Sequence, residues 1–317
     1  MSFLNFGFFL IEVIKLYLKD EGFMEHNNNY HCHPKWFKLG KHLLKLYINP
    51  NQNNLYLVKR SYDRISSFYE DTRTSDYWVL SDEMLDRLSP KKGMKALDLF
   101  CGTGYVTERI AKRTEIPVIG VDISKNMIDI AQQKSNENCE YINCEVLDYL
   151  KKQHSKSFDI VTSAWGIGYS KPYQVLKEIN RILKDNGKIG IIENTDLTAY
   201  EITWASILAF AEKPDIISNF PRYRFPLSIY GLIIKMWFSG FHIQESWKGI
   251  FTHYEQSGKE LVQKLRNTSV VAGYEYVINK NSREEYFQRM ASILDYRYRK
   301  KQVIPIIHRY IGAIGIK

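Results

Sequence analysis

From residue 94 the chain alternates short apolar runs with stretches of helical spacing. The runs are MKALDLF (94–100), PVIGV (117–121), EYINC (140–144), FDIVTSAW (158–165) and KIGIIEN (188–194). Helical stretches cover 105–113, the segment running to Lys134, and 172–183. Short β-branched runs joined by helices predict right-handed βαβ units and a parallel sheet. FHIQESWKGIFTHYE (241–255) and QVIPIIHRYIGAIGIK (302–317) predict two further strands, seven in all.

The first 60 residues read differently. Residues 2–18, SFLNFGFFLIEVIKLYL, are apolar, yet shorter than the ~20 residues a spanning helix needs, and they carry Glu12 and Lys15. Asn5, Glu12, Lys15 and Lys19 share one narrow helical face, so an amphipathic helix is expected, packed on the main domain or lying at a membrane surface. A signal peptide is not indicated, and Met24 is an alternative start. Asn-rich stretches at 27–29 and 49–54 predict loops around a basic helical stretch, HPKWFKLGKHLLKLY (33–47). His31, Cys32 and His33 are too close in sequence to converge readily on one ion, so no metal site is expected.

Composition changes the picture only where it is uneven. With 44% hydrophobic and 25% charged residues, wholesale disorder is excluded. The four cysteines form no disulfide framework and no CxxC pair, which predicts a cytoplasmic protein. Net charge is +9, which alone points to an anionic partner. The excess lies at the ends, +4 over residues 1–60 and +6 over 280–317, while 61–279 carries −1.

Candidate chemistry centres on Asp98-Leu99-Phe100-Cys101-Gly102-Thr103-Gly104, a strand entering a small-residue turn and then a helix. Backbone N–H groups and the helix N-terminus can there approach a ligand closely. The dinucleotide fingerprint fails, because its third glycine falls at Thr107, and no GK[ST] follows for a phosphate loop. Asp122 ends the second run, where a carboxylate can accept both ribose hydroxyls of a nucleoside. Asp98 favours a cationic ligand over a pyrophosphate, and Glu145, after the third run, can accept from an adenine amino group. Each acid alone reads as a solvated loop charge. Three at successive strand ends read as a site.

These segments resemble the class I S-adenosylmethionine-dependent methyltransferases, in particular the small-molecule branch that includes ubiquinone and menaquinone biosynthesis enzymes. LDLFCGTGYVTERIA (97–111), GVDISKNMIDIAQQK (120–134), FDIVTSAWGIGY (158–169) and LKEINRILKDNGKIGIIEN (176–194) carry the likeness. SYDRISSFYE (61–70) resembles the family's cofactor-gating helix less specifically. The resemblance implies a Rossmann-like, seven-stranded, mostly parallel sheet. A methyltransferase domain is expected over 61–317, with substrate-cap elements within 195–240 and 255–300 and residues 1–60 as an extension.

The resemblance also implies roles. The 100–104 turn (Phe100, Cys101, Gly102, Thr103, Gly104) would contact the methionine moiety of S-adenosylmethionine, with Asp98 near its ammonium group. Asp122 would bind the ribose. Ile123 and Met127 would flank the adenine, with Glu145 and Val146 at its edge. Ser163, Ala164 and Trp165 would close the site. Phe100 stands where the family has its first glycine.

The acceptor is constrained by exclusion. TSAWGIGY replaces the (N/D)PP(Y/F) motif of amino-methylating nucleic-acid enzymes, and no PC-type cysteine follows the fourth run. A small-molecule acceptor is therefore expected, methylated at O, N, C or S. The alternatives are an RNA or protein acceptor docked through the basic ends, or a non-catalytic scaffold that binds the cofactor. Candidate pocket residues are Tyr62, Tyr69, Tyr169, Tyr200, Arg222 and Arg224, while Trp204 and Trp247 read as core. Tyr169, His242 and His253 are the candidate bases.

Overall fold

The computed structural model describes residues 33–49, 53–72, 75–134, 138–220, 222–267 and 274–317. The segment 2–18, the Asn27–Asn29 run, His31 and Cys32 lie outside them.

Seven strands form one sheet: β1 Ala96–Leu99, β2 Val118–Asp122, β3 Cys139–Asn143, β4 Phe158–Ala164, β5 Leu183–Asn194, β6 His242–Glu255 and β7 Ile304–Ile316. Their order is β3-β2-β1-β4-β5-β7-β6. The first five pair in parallel, and β7 runs antiparallel to β5. All four residues of β1 are buried, as a strand covered on both faces requires. The order reverses between β1 and β4, so their carboxyl ends open a crevice, the place where open α/β sheets bind ligands.

In chain order the described α-helices are α1 Trp36–Ile48, α2 Asn54–Ile65, α3 Tyr69–Thr72, α4 Ser75–Leu88, α5 Tyr105–Thr114, α6 Lys125–Lys134, α7 Val146–Lys152, α8 Pro172–Ile182, α9 Tyr200–Glu212, α10 Ile229–Phe238, α11 Gly258–Asn267, α12 Tyr274–Val277 and α13 Arg283–Tyr298. Residues 1–61, 198–222 and 251–308 form one compact unit, and 62–197, 223–250 and 309–317 form the other.

The second unit holds the crevice. Its core joins Leu97, Leu99, Val121, Val161, Ile189 and Ile191 of the sheet to Val175, Leu176, Ile179 and Ile182 of α8. Those α8 positions fall at i, i+1, i+4 and i+7, one helical face. In the first unit α9 is apolar nearly all round and almost wholly buried, which is the fate expected of such a helix. Its buried Glu212 is held by both forks of Arg289, at 2.7 and 2.8 Å. Trp204 is buried beneath the Arg297 guanidinium, 4.0 Å from the ring centroid.

Candidate functional site

The turn after β1 begins in left-handed backbone, with Phe100 at φ 58°, and continues through Gly102 at 54° and Gly104 at 88°. Gly104 is required twice over: its φ disfavours a side chain, and a Cβ there would meet Tyr141 Oη at 2.3 Å. Phe100 occupies a conformation that costs a residue with a side chain about 1–3 kcal/mol. Space for its ring comes from Gly166, where a Cβ would lie 2.2 Å from the Phe100 Cβ. The bulk at position 100 is thus matched by a missing side chain across the crevice.

Asp122 organises the turn. Gly102 N–H donates to its Oδ2 at 3.0 Å, and Ser124 N–H to its Oδ1 at 2.8 Å. Burial raises its carboxyl pKa, against those two backbone donors, which lower it. Asp98 is fully buried, with Thr162 and Thr107 hydroxyls donating at 2.7 Å to its two oxygens. Burial dominates there and pushes its pKa up to about 7. A cation brought close would favour its ionised form. Glu145 caps α7, accepting from Asp148 N–H at 2.9 Å. Val146 is buried in the sheet core.

A cleft, partly open to solvent, lies over the turn. Of the residues expected to hold a cofactor, Asp98, Phe100, Cys101, Gly102, Thr103, Ala164 and Trp165 line it, together with Tyr69 from the expected pocket set. Thr103 Oγ1 and Ser163 Oγ are buried and have no hydrogen-bond partner among the described residues. The unpartnered Thr103 hydroxyl, a buried acid suited to a cationic group and a helix N-terminus suited to a carboxylate together fit a ligand such as S-adenosylmethionine, which carries both. Met127 is fully buried against Ile65 and Tyr69, and Ile123 is half-buried.

Sequence reasoning missed the contribution of α4. Trp78 and Ser81 line the cleft, as does Tyr105, whose ring stacks on Trp78 at 4.0 Å. Trp165 Nε1–H donates to Ser81 Oγ at 2.9 Å and its ring meets Tyr77 edge-on at 4.7 Å. No motif marked these residues, and only the aromatic content of SDYWVLSDEMLDRL hinted at them. Asp63 was also missed. Its carboxylate accepts from Ser124 Oγ at 2.6 Å, and its backbone carbonyl accepts from Asn126 Nδ2 at 2.9 Å, tying the end of α2 to the start of α6.

Beyond the cleft the aromatic rings continue. Tyr169 lies in a short 3₁₀ turn (Ile167–Tyr169) and meets Tyr62 at 5.7 Å, Tyr223 at 5.2 Å and Phe225 at 5.0 Å, all edge-to-face. Tyr62 in turn meets Tyr69 at 6.2 Å. Burial raises the Tyr169 pKa strongly, so its phenol stays protonated. Arg224 belongs to this unit, its N–H reaching Gly168 O and its guanidinium Ser170 O, both at 2.7 Å. Arg222 belongs to the other unit, over the Tyr47 ring and bonded to Tyr47 O, and each arginine thus has a structural engagement of its own.

The remaining candidates are not among the residues lining the cleft. Tyr200 is half-buried at the start of α9 in the first unit. His242 is exposed at the start of β6, at the sheet's edge. His253 belongs to the first unit, its ring 5.4 Å from that of His308, where burial and then His253 hold the His308 pKa down to about 3. Trp247 stands beneath the Arg87 guanidinium at 4.6 Å. Among the described residues no group of His, Cys, Asp or Glu is arranged to hold a metal. Nor is any described helix long and apolar enough to cross a membrane.

Comparison with known proteins agrees with this geometry. The methyltransferase domain family matches residues 90–225. A demethylmenaquinone methyltransferase of Lactococcus lactis subsp. lactis is 32% identical over 177 residues, covering 49% of this chain and 68% of that relative. One from Staphylococcus aureus is 31% identical over 157 residues, covering 47% of this chain. The chain spans 64% of the length of that relative. A solved putative methyltransferase from Bacillus halodurans shares the fold, with TM-score 0.53 at 15% identity, covering 75% of this chain and 98% of that one. The chain belongs to the class I S-adenosylmethionine-dependent methyltransferases. Within that family it is similar, at a distance, to the demethylmenaquinone methyltransferases.

Proposed function

We propose that this chain transfers the methyl group of S-adenosylmethionine to a small-molecule acceptor by in-line displacement. The observation that carries the reading is the switch-point cleft. There the glycine turn, the raised Asp98 carboxyl and the unpartnered Thr103 hydroxyl line one cleft. S-adenosylmethionine supplies an electrophilic methyl on a sulfonium, so the protein's main task is positioning. In this reading Asp98 would face the ammonium group, Asp122 the ribose, and Glu145 with the Val146 backbone the adenine edge, with Ile123 and Met127 flanking the adenine.

The acceptor would lie against the aromatic wall of Tyr62, Tyr69, Tyr169, Tyr223 and Phe225. These rings supply apolar area and few charges, which suits a flat or apolar small molecule better than a polyanion. The naming of the bacterial relatives for a demethylated quinone supports the same class. Tyr169, protonated by burial, serves this reading as a hydrogen-bond donor to the acceptor rather than as a base.

The test is incubation of the protein with methyl-labelled S-adenosylmethionine and a cell extract, followed by separation of metabolite, lipid, RNA and protein fractions. Label is expected in small organic-soluble molecules. Label in RNA or protein would overturn the acceptor class, and tight cofactor binding with no label transferred would indicate a scaffold.

A further inference from the structure

The basic N-terminal region has a structural counterpart in α1. Residues 26–62 hold six lysines and arginines and no aspartate or glutamate. The inner face of α1 is anchored: Leu39, Leu43 and Leu46 are buried, Lys35 N–H reaches Ala211 O at 2.6 Å, and His42 Nε2 lies 2.7 Å from Ile217 O. Its outer face is not the polar surface such a helix should present. Phe37 is 87% exposed, Leu44 43% and Ile48 64%. Those three fall at i, i+7 and i+11, a strip roughly 40° wide at 3.6 residues per turn. Beside the strip run Lys41 and Lys45, both exposed, with Lys38 beyond them paired to Asp215.

A ridge of apolar side chains flanked on one side by lysines is the pattern of a helix lying in a membrane interface. The ridge enters the acyl boundary, and the lysine stems lie along it while their ammonium groups reach the headgroups. We propose that the outer face of α1 docks on an anionic lipid surface. Charge decides the partner's sign, since no acid lies within α1 or its flanks to repel anionic headgroups. The apolar ridge decides between lipid and nucleic acid, because a phosphate backbone needs the lysines but gains nothing from Phe37, Leu44 and Ile48. The strip shares no residue with the cleft, and its use is independent of which acceptor is methylated.

Co-sedimentation of the full chain with large unilamellar vesicles tests this, comparing 70:30 phosphatidylcholine–phosphatidylglycerol with phosphatidylcholine alone. Binding to the anionic vesicles and its weakening between 50 and 300 mM salt are expected. K41Q/K45Q should lose roughly 30-fold, about fivefold for each lysine taken from an anionic surface. F37S/I48S should also lose tenfold or more, and both variants should keep a cooperative melt. Should either double variant fail to fold, the single exchanges K45Q and I48T carry the same test with smaller losses. Deleting residues 1–23 should leave binding in place. The proposal is overturned by absence of binding to anionic vesicles at 50 mM salt, by losses on deleting residues 1–23 but not in the α1 variants, or by retained RNA and lost vesicle binding in F37S/I48S.

Discussion

Asp98 and Asp122 are two acids beside the same turn, and their surroundings give them different work. Asp98 has lost its water and keeps its proton up to about pH 7. The unfolded chain releases that proton near pH 4, so folding takes up a proton between about pH 4 and 7, and the ligand-free protein loses stability as pH rises through that window. Asp98→Asn should flatten that dependence in melts recorded from pH 4 to 8. A cationic ligand favours the carboxylate, so S-adenosylmethionine affinity should rise by up to about tenfold per unit between pH 6 and 7. It should then fall above about 8, as the ligand's amino group deprotonates. Calorimetry should find that rise absent in Asp98→Asn. Asp122 instead holds two backbone N–H groups, so Asp122→Ala should weaken cofactor binding more than tenfold while leaving a folded chain. Unchanged affinity by calorimetry would remove Asp122 from the site. At the crevice wall, Gly166→Ala should destabilise by about 1–3 kcal/mol through its clash with Phe100, and adding Phe100→Gly should recover part of that loss. Additive energies in urea melts would separate the two residues.

At the scale of elements, the strands were legible because a buried parallel strand leaves a near-continuous apolar run with few alternatives. FDIVTSAW and KIGIIEN could hardly be anything else, and QVIPIIHRYIGAIGIK (302–317) became β7 over Ile304–Ile316. The helical contributions were less legible. Trp78 and Ser81 reach the cleft because α4 lies against the turn, a tertiary fact that no spacing within α4 encodes. In sequence the FPRYRFP tract (220–226) reads as a single basic loop, yet its arginines, Arg222 and Arg224, belong to different compact units. Prolines fix the local backbone and leave long-range partners unspecified. The link between α2 and α6 through Asp63 is the same kind of fact, and it makes the 62–72 segment a candidate gate. Asp63→Ala should speed amide exchange across 62–72 by tenfold or more, because a hydrogen bond to a charged group contributes about 1.5–3 kcal/mol. It should also raise the KM for S-adenosylmethionine more than it lowers kcat. Unaltered exchange would mean the segment is held from elsewhere.

Across the whole molecule, charge and chemistry are partitioned. The residues expected to hold the cofactor all fall between 98 and 165, inside the near-neutral stretch, whereas the positive excess lies at the ends of the chain. A cationic cofactor and a basic surface would repel each other if superposed, and along the sequence they fall in different stretches. The same partition bears on residues 1–23. Among the described residues, α1 buries Leu39, Leu43 and Leu46, and its contacts close on Ala211, Ile217 and Asp215. A chain starting at Met24 should therefore keep one cooperative melting transition, with its midpoint within a few degrees of the full chain, and should bind S-adenosylmethionine with unchanged affinity. A drop of more than about 8 °C would exceed what about 1–2 kcal/mol can produce in a protein of this size. It would show that the apolar 2–18 segment completes a core, and the basic N-terminal region would then have to be read as part of the fold before it is read as a docking surface.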